Sequence, residues 1–248
     1  MKKVFSFLAI AAMICMVSCK KTSTNNNEKP IDDPIDDPIE EVAAIDITID
    51  GQFEDWAALK PEYVSVAKNN PNSPWEGVSE IRCCATPDFV YYYIKFNSAS
   101  LKECLEEMDT PEMHIRLNIN TDGEFTSGYA NYSLDAYDFI VEGQIAAEGA
   151  FVDFAGTLHQ RFDSWQELIP STGGLVAGKG AGTEYEILFA RELFNNAVTA
   201  EHQMGDIFHT GIRFYCNGWD EFSNMPNASV DDGDGNGWGH LMEVATVK

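Results

Sequence analysis

The sequence predicts an all-β fold, an antiparallel sandwich carrying one or two short helices. Three observations lead there. From His114 to Asn120 the residues alternate, with Ile115, Leu117 and Ile119 apolar and His114, Arg116, Asn118 and Asn120 polar, the period of a half-buried strand. The run Val90–Phe96 is rich in the aromatics that favour strands. Turn clusters such as Ala85-Thr-Pro-Asp88 and Asn120-Thr-Asp-Gly123 cut the chain into short segments, and helical spacing occurs only in scraps.

The start of the chain reads as an export signal. Lys2 and Lys3 precede an apolar run from Val4 to Val17, and Met16-Val-Ser-Cys19 follows. A charged start and an apolar stretch of this length make a secretory signal, too short for a membrane span with these flanks. Met16–Cys19 resembles a bacterial lipoprotein lipobox, with Met where Leu is usual. That resemblance implies cleavage before Cys19 and lipidation of its thiol, and with the acidic, tethered layout it suggests a Gram-negative envelope location at the outer membrane or cell surface; an ordinary signal peptide cut nearby is the other reading. Residues 1–18 are then the signal and 19–44 a tether, in which Pro30-Ile-Asp-Asp, Pro34-Ile-Asp-Asp and Pro38-Ile-Glu-Glu41 repeat. Proline stiffens such a segment, like charges extend it, and nothing in it can build a core.

Residues 45–248 are ample for one sandwich with a sizeable core. Without residues 1–18 the chain keeps 14 basic and 40 acidic residues, a net charge of −26. That balance argues against nucleic acid and against anionic lipid as partners, leaving the acyl anchor as the membrane contact. It also leaves carboxylates to spare for Ca²⁺.

Within this domain Ile45–Gly51 alternates as a strand ending in an Asp-Gly turn, and Phe53, Trp56 and Leu59 mark a helical turn that plugs one end of the core. Val78–Cys84 and Val90–Phe96 form a hairpin. Leu101, Cys104, Leu105 and Met108 recur on one helical face that Pro111 ends. Ala136–Val141 is a strand with Asp138 inside it, a carboxylate that needs a partner if buried. Further strands follow near Ala146–Leu158, at Glu184–Phe189, Ile207–Cys216 and Leu241–Val247, with a helical turn at Arg191–Phe194.

The order of these signals resembles a family. Ile49-Asp50-Gly51 with Asp55-Trp56 comes first, then the aromatic strand Val90–Phe96, the Asn120–Gly128 loop and Tyr137–Gly143. Tyr185–Phe194 and a closing Trp238-Gly complete the series. The set is similar to the family 9 carbohydrate-binding modules and their DOMON-like relatives, over roughly residues 45–248. The resemblance implies a jelly-roll-like β-sandwich, often bearing Ca²⁺, that holds a ligand without catalysis and grips sugars between exposed aromatics.

Two loops offer oxygens to a cation. Asp232-Gly-Asp234-Gly-Asn236-Gly237 with Glu243 at the twelfth position matches the EF-hand loop pattern. Pro226 and small polar residues stand where a helix should precede it, so the alternatives are an irregular Ca²⁺ loop and a solvated glycine turn. Asn118, Asn120 and Asp122 form a half-motif, and Thr126 and Gly128 extend its likeness to the family's D-x-D-x-x-x-T-G loop, with Asn where Asp is commoner.

A sugar presents a weakly apolar C–H face and a rim of hydroxyls, so flat rings beside polar groups suit it. Trp219, flanked by Asn217, Asp220 and Glu221, is the first candidate platform, Trp75 the second, and Trp238 in the acidic loop the third. Each has a plain structural alternative as a partly buried lid. Cys83, Cys84, Cys104 and Cys216 allow disulfides or buried thiols, and Cys83 and Cys84 are on opposite faces of a strand. No G-x-S-x-G or H-E-x-x-H occurs, which points away from an enzyme. Two other functions stay open: a protein-binding component of a surface complex, and haem binding through side chains such as Met108, Met113, His114, Met204 or His209.

Overall fold

A computed structural model of the protein describes residues 45–126, 128–129, 136–161, 165–169, 175–232 and 235–248. The expected signal and tether, Cys19 included, and Asp234 of the acidic loop lie outside the described residues. In chain order the strands are β1 (Ser65–Lys68), β2 (Val78–Ala85), β3 (Phe89–Phe96), β4 (Met113–Asn120), β5 (Phe139–Ala147), β6 (Ala150–Phe151), β7 (Thr157–Gln160), β8 (Gln166–Ile169), β9 (Val176–Ala181), β10 (Glu184–Ala190), β11 (Ile207–Cys216), β12 (Asp220–Met225) and β13 (Met242–Ala245). Three short α-helices join them: α1 (Glu54–Ala58), α2 (Ser98–Lys102) and α3 (Arg191–Ala197).

The first sheet runs β1-β2-β3-β10-β9 and the second β12-β11-β4-β5-β7-β8, with β13 also on β11 and β6 on β5. Every named strand pair is antiparallel. The chain lays down three strands of one sheet, crosses to the other, returns for β9 and β10, and crosses back. The expected all-β antiparallel sandwich with a few short helices is the observed fold.

Between the sheets lies one core, to which β3 gives Val90, Tyr92, Ile94 and Phe96 and β4 gives Ile115, Leu117 and Ile119. The predicted alternation of β4 therefore sends its apolar residues inward. The unbroken apolar character of β3 has another cause, because this strand is covered on both faces. Tyr91 and Tyr93 point away from the main core into a second cluster with Ile47, Trp56 and Cys84. Cys83 and Cys84 accordingly enter different clusters. All four cysteines are buried free thiols, and burial pushes the Cys84 thiol up to about 12.

Three expectations are corrected. Ile45–Asp50 is extended but belongs to neither sheet. Its amides are taken by side chains instead: Thr48 N–H donates to Asp55 Oδ2, and Asp50 and Gly51 N–H both donate to Glu186 Oε1. The stretch around Leu101 is an α-helical turn, Ser98–Lys102, continued by a π-helical turn over Glu103–Glu107. Asn97 caps it, its Oδ1 accepting from Ala99 and Ser100 N–H. Finally, Asp220 and Glu221 open strand β12, where sequence pattern alone shows only a loop.

Candidate functional site

The outer face of the second sheet carries an Arg–aromatic surface. Pairing aligns Asn224, Arg213, Arg116, Glu142 and Thr157 in one row across β12, β11, β4, β5 and β7. Arg213 and Arg116 are directly opposed, an unfavourable pairing of like charges. Arg116 is neutralised by an ion pair with Glu142 and also donates to Tyr215 Oη at 3.3 Å. Arg213 is 6% exposed and stacks on Trp238, 3.5 Å from guanidinium carbon to ring centre.

At one side of this row sits Trp219. Its ring stacks on His114 with centroids 4.5 Å apart and planes 24° from parallel. The Arg116 guanidinium carbon is 5.1 Å from the same ring, and the Tyr215 ring centre is 5.4 Å away. Even so, Trp219 is 42% exposed. The β11–β12 turn that presents it holds three successive residues at positive φ, Asn217 at 47°, Gly218 at 76° and Trp219 at 93°. For a bulky side chain that conformation is strained and is retained only where surrounding structure imposes it. Asn217 and Asp220 supply that frame: Asn217 Nδ2 donates to Asp220 Oδ2 at 2.9 Å, and Asn217 Oδ1 accepts from Thr110 N–H. They thus hold the turn and join it to Thr110.

Beside Trp219 opens a groove of about 380 Å³ lined by His114, Glu142, Gln144, Asp153, Thr157 and Trp219 among others, within the size range of small-ligand sites. Gly143 also lines it, and a Cβ there would come within 2.4 Å of the core residue Phe154.

The other two predicted tryptophans are held in contacts between loops. Trp75 Nε1 donates to Asn236 O at 2.8 Å, and Asn227 ties the two loops by accepting from Asn70 N–H and donating to Asn69 Oδ1. Trp238 is 6% exposed over Arg213. Together they clasp loops over the sheet, and the cavities beneath, lined by Asn118, Arg213, Asn224 and Trp238, hold about 10 Å³ each, room for a water but not a sugar. An exposed ring that sequence reasoning passed over is Trp165, 51% exposed. It covers the Arg161 guanidinium at 3.8 Å and His159 at 4.6 Å, and Tyr129 holds the same guanidinium at 3.5 Å. Its signal was faint, because Trp165 lies in a polar stretch with no period.

Several of the predicted metal residues have partners of their own. Asn120 commits its amide to the turn, Nδ2 donating to Glu124 O and Ala136 O and Oδ1 accepting from Gly123 N–H. Asn118 lines the small cavity beside Arg213. Asp232 accepts from Ser229 Oγ, and Glu243 lies on β13 facing His209, 3.6 Å away. Asp122 instead meets Asp138 and His202, with ligand atoms all within 4.8 Å of one another. Asp138 is 1% exposed; its Oδ2 accepts from Thr121 N–H at 3.0 Å and Oγ1 at 3.4 Å, while Oδ1 is buried with no protein partner. Burial raises the Asp138 carboxyl above its ordinary value, Asp122 adds to the rise, and His202 opposes it. Gly128, at φ 85°, passes so close that a Cβ would lie 3.2 Å from Asp138 Oδ1.

Of the residues considered for haem, Met113 and Met204 are in the core. His114 stacks under Trp219 on the opposite face of β4 from the core, so Met113 and His114 do not share a site. No helix among the described residues is long and apolar enough to cross a membrane. No protein-family model matches the chain, and no curated protein matches it.

Proposed function

We propose that this chain is a non-catalytic carbohydrate-binding module, held at the bacterial cell envelope by an acylated tether. The reading rests on Trp219. A large ring left 42% exposed, at strained backbone, backed by His114 and edged by a groove, is organised to receive a flat, weakly apolar face. A sugar ring presents such a face, and Glu142, Gln144 and Asp153 along the groove match its hydroxyl rim. Trp165 offers a second ring on the same sheet. The resemblance of the motif order to family 9 carbohydrate-binding modules supports the same reading, and the leader supports the anchor.

A multivalent glycan array probed with the unit Ala43–Lys248 tests it, since single sites of this kind bind at about mM to μM. The expected result is retention of one coherent glycan set. Trp219→Ala should weaken that binding at least tenfold, about 1.4 kcal/mol or more, with a melting temperature close to that of the parent. An array without any retained glycan, or a Trp219→Ala protein that binds as before, would sink the proposal and turn attention to a protein partner in a surface complex.

A further inference from the structure

We propose that Asp122, Asp138 and His202 form a binding site for a divalent transition-metal ion of the Zn²⁺ class. The three come from separate parts of the chain. Asp122 is in the turn after β4, Asp138 immediately precedes β5, and His202 ends a 3₁₀ turn, Ala200–His202, that follows α3. Their ligand atoms nevertheless converge within 4.8 Å.

The independent observation is the state of Asp138. It is 1% exposed, and its Oδ1 has no protein hydrogen bond. A carboxylate oxygen in that position is costly unless a proton or a cation answers it. A cation between Asp138, Asp122 and His202 answers it and removes the repulsion between the two carboxylates. Two of the three ligands are oriented by hydrogen bonds. Thr121 fixes Asp138 through Oδ2, and Asp122 Oδ1 accepts from Glu124 N–H at 2.8 Å, which holds the side chain of this exposed residue. Gly128 leaves space beside Asp138 Oδ1 that any side chain would narrow.

The donor set selects the class of ion. Ca²⁺ takes six to eight oxygens and Mg²⁺ keeps a hydrated octahedron, whereas an imidazole with two carboxylates suits Zn²⁺ and its transition-series neighbours. Three protein ligands leave a position for water, as in open zinc sites. The site joins the turn after β4 to the segment after α3, so occupancy should stabilise the fold.

The experiment uses the untagged chain, stripped with chelator, and adds Zn²⁺, Mn²⁺ or Ca²⁺ separately. Calorimetric titration and melting temperature are the readouts. One equivalent of Zn²⁺ should bind and raise the melting temperature, with Ca²⁺ failing to do either at the same concentration. Co²⁺ should give visible absorption bands that His202→Ala abolishes. His202→Ala and Asp122→Asn should each weaken Zn²⁺ binding at least tenfold. Both positions lie outside the core, so these two variants carry the test, and the buried Asp138→Asn serves as confirmation. Absence of stoichiometric Zn²⁺ binding, binding unchanged in both variants, or stabilisation by Ca²⁺ alone would overturn the proposal.

Discussion

Replacing Arg191 by methionine is expected to lower the unfolding free energy by about 3–5 kcal/mol. Arg191 is 5% exposed and opens α3, yet its guanidinium pairs with no carboxylate in the described residues. It donates instead to four acceptors: Nη1 to Thr86 O and Thr246 Oγ1, both at 2.7 Å, and Nη2 to Met204 O at 3.1 Å and Gly205 O at 2.6 Å. One side chain thereby ties the β2–β3 turn, the segment before β11 and the C-terminal stretch after β13. Burial disfavours its charge and lowers its proton affinity. A buried ion pair can often be exchanged for hydrophobic residues at little cost, but here three acceptors are backbone carbonyls that no substitution removes. Methionine fills the volume and leaves them unsatisfied. Arg191→Lys keeps the charge but reaches fewer acceptors from a single nitrogen, and its loss should fall between the two. Urea denaturation decides the matter: a methionine variant within 1 kcal/mol of the parent, at unchanged slope, would show that the network contributes little.

Much of the sandwich was legible because β4, β10 and β11 carry their own period or run of strand formers. Their pairing partners are fixed by which face must be buried. The N-terminal alternation was misleading for a physical reason. Ile45, Ile47 and Ile49 do bury one face, against Tyr91, Tyr93 and Leu188, so the pattern is genuine. What a pattern of side chains does not encode is the destination of the backbone amides, and here they go to Asp55 and Glu186 rather than to a neighbouring strand.

The candidate sites show the same division. Trp219 was singled out for its polar neighbours Asn217, Asp220 and Glu221, and its ring is exposed in the fold. Trp75 and Trp238 could not be told from it, since a tryptophan clasping two loops and one facing solvent occur in similar local sequence. His202 carried no signal at all. It sits far along the chain from Asp138, and only the return of the chain after α3 brings the two together. Asp138, by contrast, was suspect from sequence alone, as a carboxylate within a strand that had to be buried.

The motif Ile49-Asp50-Gly51 with Asp55-Trp56 and the motif around Glu184–Phe189 are two halves of one contact, and removing its centre should be nearly as damaging as losing Arg191. Glu186 is fully buried; Oε1 accepts from Asp50 and Gly51 N–H at 2.8 Å each, and Oε2 from Trp56 Nε1 at 3.2 Å. Glu186→Ala strands three buried or half-buried donors and should cost about 3 kcal/mol or more. Glu186→Gln keeps an acceptor for the two amides but turns an N–H₂ toward the Trp56 indole, and should cost about 1–2 kcal/mol at neutral pH. The variants also separate by pH. Burial raises the Glu186 carboxyl above 4.5 in the folded protein, against the opposing pull of its hydrogen bonds. The folded state therefore holds the proton more tightly than the unfolded chain. The stability this contributes is complete below the unfolded value and lost as pH rises through the folded one. Lowering the pH from 7 toward 4.5 should thus favour the parent relative to Glu186→Gln, which has no proton to gain. Comparing the two proteins cancels the other carboxylates, including Asp138, which shifts the same way. Melting temperatures across that window should diverge as pH falls; curves that stay parallel would mean that Glu186 titrates alike in both states, and that its hydrogen bonds fully offset its burial.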